Sequence, residues 1–152
     1  MKQQETIDYF LKVVWQNVSN VYNQVASGFG ITQAVGYMLI NIEKEGTAVS
    51  KLAGLLAVKA TSLSRMLNNM EELGLIYRET SAGDKRSVKV YLTDLGREKR
   101  AMARDVVISF NEYLNEHLST QEKNNLVSTL QKLNKLTLAY TSTIENEQQK
   151  NK

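Results

Sequence analysis

Early in the chain the apolar positions Phe10, Leu11, Val14, Val18, Val21, Tyr22 and Val25 recur at steps of three and four, one face of an α-helix that begins near Ile7. Gly28 and Gly30 mark its end. The next segment, QAVGYMLINIEK, is apolar through its centre at Val35, Tyr37, Met38, Leu39, Ile40 and Ile42, which predicts a buried helix running to Gly46. TAVSKLAGLL has room for two helical turns between Ser50 and Leu56, and a break at 57–59 separates it from ATSLSRMLNNMEELG. In that last segment Leu63, Met66, Leu67, Met70 and Leu73 share one side at about 100° per residue. Thr61, Ser64, Arg65 and Asn68 therefore point the other way, to water or to a partner.

After Gly74 the period changes from helical to two. Leu75-Ile76-Tyr77 opens an extended run ending near Thr80, and Ser87 to Leu92 alternates as a second strand, with Asp84, Lys85 and Arg86 on the turn between them. Thr93 is a candidate N-cap for a long helix toward Leu118. Ser119 and Glu122 have the spacing of a capping box, so a new helix begins there. Its stripe is Leu126, Leu130, Leu133, Thr137, Tyr140 and Ile144, suited to packing on another helix. The tail NEQQKNK is expected to fray. Helix, short helix, exposed polar helix and basic hairpin is the order of a winged helix-turn-helix. The expected class is mainly α with a small β-hairpin wing.

Composition narrows the chemistry. The 152 residues, 42% hydrophobic, suit one domain over 1–152. Without cysteine there are no disulfides, no thiol redox chemistry and no cysteine-based zinc site. Acids and amides at the N-terminus and the lack of a long uncharged apolar run argue against a signal peptide or membrane span, so the expected location is cytoplasmic. The net charge of +3 is uneven: from Lys44 to Arg104 there are 12 Lys and Arg against 7 Asp and Glu, a net of +5, which leaves −2 for the rest. A polyanion is the partner such a distribution suits.

The run LAGLLAVKATSLSRMLNNMEELGLIYRETSAGDKRSVKVYLTDLGREKR resembles the MarR family of bacterial transcriptional regulators. The shared signs are Leu52-Ala53, the T-S-L-S-R of the exposed helix, E-x-x-G-L-I before the hairpin, D-K-R at its tip and L-T-x-x-G at the next helix. The resemblance implies a homodimer joined by helices from both chain ends, about 5–28 and 97–147, around a winged part at about 31–96. It implies a sequence-specific regulator of double-stranded DNA, a repressor binding a near-palindromic operator. Thr61, Ser62, Ser64, Arg65, Asn68 and Asn69 would lie at the major groove, and Lys85, Arg86 and Ser87 on the wing, with Arg86 in the minor groove. The residue chemistry agrees: Arg65 can grip guanine or phosphate bidentately, and Asn68 can pair with adenine. Asp84 has the wrong charge for DNA and is assigned to the turn, accepting backbone hydrogen bonds or orienting Arg86. Half of Lys85, Lys89, Arg97, Lys99, Arg100 and Arg104 are expected at phosphates.

Ligands in this family often lodge between the dimerisation helices and the winged part. The aromatic residues there make Trp15, Tyr22 and Tyr37 the candidate pocket for a small apolar or aromatic ligand. His117, the only histidine, is read as a surface residue, and no metal or cofactor is expected. An enzyme lacks materials: there is no cysteine, no second histidine and no glycine-rich phosphate loop. The remaining alternative is a winged helix that contacts protein without specific DNA binding.

Overall fold

The computed structural model describes residues 5–56, 59–81 and 84–150, with the side chains at 56, 81, 84–87 and 144–150 left aside. The elements are α1 (Ile7–Ser27), α2 (Gln33–Asn41), β1 (Thr47–Ala48), α3 (Val49–Leu56), α4 (Ala60–Glu72), β2 (Ile76–Ser81), β3 (Asp84–Leu92), α5 (Asp94–His117) and α6 (Thr120–Lys150). They fall into two compact units, 1–108 and 109–152.

The core lies in the first unit. Val35, Met38, Leu39 and Ile42 meet Leu52 from α3, Leu63, Leu67 and Met70 from α4, and Leu75, Ile76, Val90 and Leu92 from the hairpin. The apolar stripes of four elements thus converge, as their periodicities require. Leu73, expected on the buried side, is half exposed because it caps α4 rather than continuing it.

Two expectations change. The second helix ends at Asn41, short of Gly46: Ile42 takes an extended backbone and stays buried, and the chain turns back so that the Glu43 amide donates to Thr47 Oγ1 at 2.8 Å. That turn delivers β1, which pairs antiparallel with β3 at Thr47↔Val90 and Ala48↔Lys89. The sheet therefore has three strands, ordered β1-β3-β2, rather than a hairpin alone. The second change is at the wing. Strand β3 begins at Asp84, which pairs with Ser81, so the backbone of Asp84, Lys85 and Arg86 belongs to the strand and not to the turn. Ladder hydrogen bonds use the backbone and continue where side-chain alternation no longer signals them.

The junctions on both sides of the hairpin explain two sequence signs. At the end of α4, Gly74 takes φ +67°, its amide bonds to Glu71 O and the Leu75 amide to Met70 O, both at 2.9 Å. This is a Schellman closure, and it accounts for the glycine in E-x-x-G-L-I. At the start of α5, Thr93 Oγ1 accepts from the Gly96 amide at 3.0 Å and donates to Gly74 O at 2.6 Å. Gly96 is buried so close to Leu75 O that a Cβ would sit 1.9 Å from it. The T-x-x-G spacing is thus a cap followed by a close approach.

In the second unit, Ser119 and Glu122 form the expected capping box: the Ser119 amide donates to Glu122 Oε2 at 2.8 Å, and the Glu122 amide to Ser119 Oγ at 3.3 Å. The Ser119 hydroxyl and amide hold the Glu122 carboxyl below its ordinary range. Helix α6 continues to Lys150, through most of the segment expected to fray. Among the described residues no helix is long and apolar enough to cross a membrane.

Candidate nucleic-acid interface

Helix α4 separates its two faces cleanly. Leu63, Leu67 and Met70 are at most 1% exposed, while Thr61, Ser62, Ser64, Arg65, Asn68 and Asn69 are all exposed. At about 100° per residue those six positions cover an arc of about 160°. The structure brings the six together as one polar surface carrying hydroxyls, carboxamides and one guanidinium. Arg65 has no ion-pair partner among the described residues. At the N-cap stands Lys59, whose side chain has no acceptor for the first-turn amides of α4. Those amides and the helix dipole favour an anion at this end.

Arg78 completes the surface and escaped the sequence reading. It projects from β2, and its Nη2 donates to Asn68 Oδ1 at 2.8 Å and to Glu71 Oε2. The hydrogen bond from Arg78 is the main reason the Glu71 carboxyl lies below its ordinary value, with the nearby positive charge adding and burial opposing; the same pairing raises Arg78. Buried Ile76 two residues earlier puts Arg78 in register with the core-facing side of β2, so period two alone would have hidden it. The usable signal was Glu71 in E-x-x-G-L-I, an acid on the rim of an otherwise basic surface.

The wing stem pairs Ile76↔Leu92, Tyr77↔Tyr91, Arg78↔Val90, Glu79↔Lys89 and Thr80↔Val88, with an irregularity between Thr80 and Ser81. Lys85, Arg86 and Ser87 lie on the backbone of β3 beyond this stem; their side chains, and that of Asp84, fall outside the described side chains.

Of the three residues expected to line a pocket, Tyr22 and Tyr37 do so, together with Ala26, Phe29, Gly36 and Val106 among others. Burial pushes the Tyr22 phenol up. Trp15 is not among the lining residues and is 58% exposed on α1. The cavity measures about 40 Å³. That holds two or three waters at most, far below the roughly 300–1,000 Å³ of a ligand pocket. His117 Nδ1 lies 2.8 Å from Tyr113 O and its ring packs on Tyr113 with centroids 4.3 Å apart. Among the described residues no three His, Asp or Glu side chains gather as a metal site.

The MarR family model matches residues 29–87, the span from the end of α1 to the middle of β3. A Thauera aromatica protein named for transcriptional regulation of the hcr operon is 29% identical over 105 residues, 68% of this chain and 63% of its own length. The family match thus covers the winged part, 59 of the 152 residues. A mutant of E. coli MarR complexed with operator DNA superposes on the chain with a TM-score of 0.77 at 26% identity, covering 88% of this chain and 98% of the other. S. aureus MepR from a DNA complex gives 0.78 at 24% identity, over 84% and 96%, a likeness of fold. The matched span is less than two thirds of the Thauera relative's length.

Proposed function

We propose that this chain is a MarR-family, sequence-specific double-stranded DNA-binding transcriptional regulator, a repressor that works as a homodimer in the cytoplasm and performs no catalysis. The observation that carries the reading is the outward face of α4: six exposed polar side chains over a buried apolar face, next to a basic hairpin. Arg65 reads guanine and Asn68 reads adenine, each good bidentate contact adding about 1–3 kcal/mol of discrimination. The wing supplies charge to the backbone and the adjacent minor groove. Asp84 sets the hairpin end.

The dimer reading rests on uncovered apolar surface. Phe10, Val14 and Trp15 of α1 are each more than half exposed, as are Leu126, Leu136 and Leu138 of α6. Apolar surface on this scale marks an interface. Release by a small ligand at Tyr22 and Tyr37 requires the cavity to open first, because about 40 Å³ admits no such molecule.

Selection of bound duplexes from a random pool, followed by binding at graded salt, tests the function. The expected result is a motif with two half-sites about one helical turn apart and an affinity that falls steeply with salt. Recovery of no motif, with binding indifferent to salt, would favour a winged module that contacts protein.

A further inference from the structure

A second cavity, about 530 Å³ in volume, shares no lining residue with the first: Lys44, Tyr77, Tyr91, Leu92, Arg97 and Arg100 surround it. Its size is that of a ligand pocket. The lining holds three cations and no carboxylate. The three are not equivalent. Arg97 donates from Nη1 to Leu92 O at 2.8 Å and from Nη2 to Asp94, so its fork is held and its charge answered. Lys44 and Arg100 have no carboxylate partner among the described residues. Arg100 Nε is, moreover, a buried donor without an acceptor, an arrangement that folding penalises unless something else accepts from it.

Beside these cations stands a flat aromatic wall. Tyr77 and Tyr91 stack with ring centroids 5.3 Å apart and planes 13° from parallel. Tyr91 is seated against the turn before β1: a Cβ on Gly46 would come within 2.4 Å of its ring. Tyr77 lies on Tyr91 and keeps 44% of its surface exposed. The wall is therefore fixed before any ligand arrives, which lowers the ordering cost of binding.

We infer that this cleft binds a planar ring bearing a phosphate group, as in an aryl phosphate or a nucleoside monophosphate. The ring packs on Tyr77 and the phosphate meets Lys44 and Arg100. A phosphate monoester carries about −1.5 to −2 charges near neutral pH and so answers both free cations, where a carboxylate answers one. A guanidinium offers parallel N–H donors that phosphate oxygens accept. The cleft lies at the root of the hairpin, where Tyr77 pairs with Tyr91.

The test titrates the full chain with phenyl phosphate, followed by phosphorus NMR and calorimetry, against inorganic phosphate, phenol, benzoate and adenosine monophosphate. Phenyl phosphate is expected to bind one per chain, at least tenfold tighter than inorganic phosphate, phenol or benzoate. Tighter binding of adenosine monophosphate than of phenyl phosphate identifies a nucleotide; the reverse order identifies a simple aryl phosphate. Arg100→Met and Lys44→Met should each weaken phenyl phosphate about tenfold, and Tyr77→Ala should weaken phenyl phosphate but not inorganic phosphate. Lys44 is exposed, so its variant remains informative if Arg100→Met fails to fold. Benzoate binding as tightly as phenyl phosphate, an unchanged phosphorus signal at millimolar probe, or full affinity in Lys44→Met overturns the inference. So does a flattened salt dependence of duplex binding in variants that never bound the probe, since the cations would then serve a DNA backbone.

Discussion

Replacing Gly96 with Ala tests the join between wing and long helix. The added Cβ would lie 1.9 Å from Leu75 O and 3.0 Å from its carbonyl carbon. A carbon–oxygen contact normally needs about 3.3 Å, so β2 and α5 must part by about 1.4 Å here. Two hydrogen bonds cross this join: the Thr93 amide to Leu75 O at 3.1 Å and Thr93 Oγ1 to Gly74 O at 2.6 Å. At about 0.5–1.5 kcal/mol net for each bond, their loss costs about 2 kcal/mol. Overpacking strain adds about 1–3 kcal/mol, and the helix preference of Ala over Gly returns at most about 1 kcal/mol. The net cost is about 2–4 kcal/mol, a large share of the roughly 5–15 kcal/mol that a domain has.

Thermal unfolding followed by circular dichroism should show a melting temperature about 10 °C lower, at about 2–4 °C per kcal/mol for a chain of this length. Gly54→Ala is the counterpart. Gly54 is in α3 with nothing within 4 Å of an added Cβ, so Ala should stabilise by up to about 1 kcal/mol. If Gly96→Ala melted within about 2 °C of the parent, the close approach and the two bonds could not be what holds the wing to α5.

Arg65→Ala should cost about 1–3 kcal/mol at one base pair of the selected operator and leave non-specific binding nearly unchanged, measured by competition between duplexes. Arg86→Ala should instead weaken all duplexes alike and lower the salt slope by about one per subunit. Glu71→Gln reports the pairing with Arg78. The folded carboxyl lies below 4.5, first because it accepts from Arg78, so its stabilising share is complete above that pH and disappears as pH falls through the depressed folded value. The gap in denaturant midpoint between parent and variant should be widest at neutral pH and close in acid; a gap that widened in acid contradicts the pairing. Trp15→Asp, on exposed α1 surface, should shift light scattering from dimer toward monomer, and an unchanged dimer would move the interface elsewhere.

Much of this fold was legible because its elements carry periodic burial. Leu63, Leu67 and Met70 announce α4 and its core side, and Ser119 with Glu122 announces α6, since these signals lie within one or two turns of sequence. What escaped depends on partners far along the chain. Two residues make no period, so β1 exists only through its pairing with Val90 and Lys89. Arg78 reads as a strand charge until the fold sets it beside Asn68 and Glu71 from another element. The pocket residues divided for the same reason: Tyr22 and Trp15 share a helical face by spacing, but only Tyr22 reaches the line where α1 and α2 enclose a cavity.

The Arg78 contacts bear on how affinity and specificity divide in the proposed interface. Glu71 answers the charge of Arg78, so this arginine adds little net attraction for phosphate where it stands. Its second bond occupies one lone pair of Asn68 Oδ1, which fixes the carboxamide plane and leaves the Asn68 amino group with both its donors plus one acceptor site outward. That is still enough for the donor–acceptor pair that adenine presents, and a side chain held in place loses less rotamer entropy when it binds. The uncompensated cation on α4 is then Arg65. In the proposed complex, long-range attraction would come mainly from the basic wing and the helix end at Lys59, while α4 would contribute base contacts whose geometry is set from behind by β2. A wing that shifted its register by one residue would move Arg78 to the opposite side of the sheet and release Asn68. The stem that carries the basic wing is therefore also the support that holds Asn68 of α4 in place.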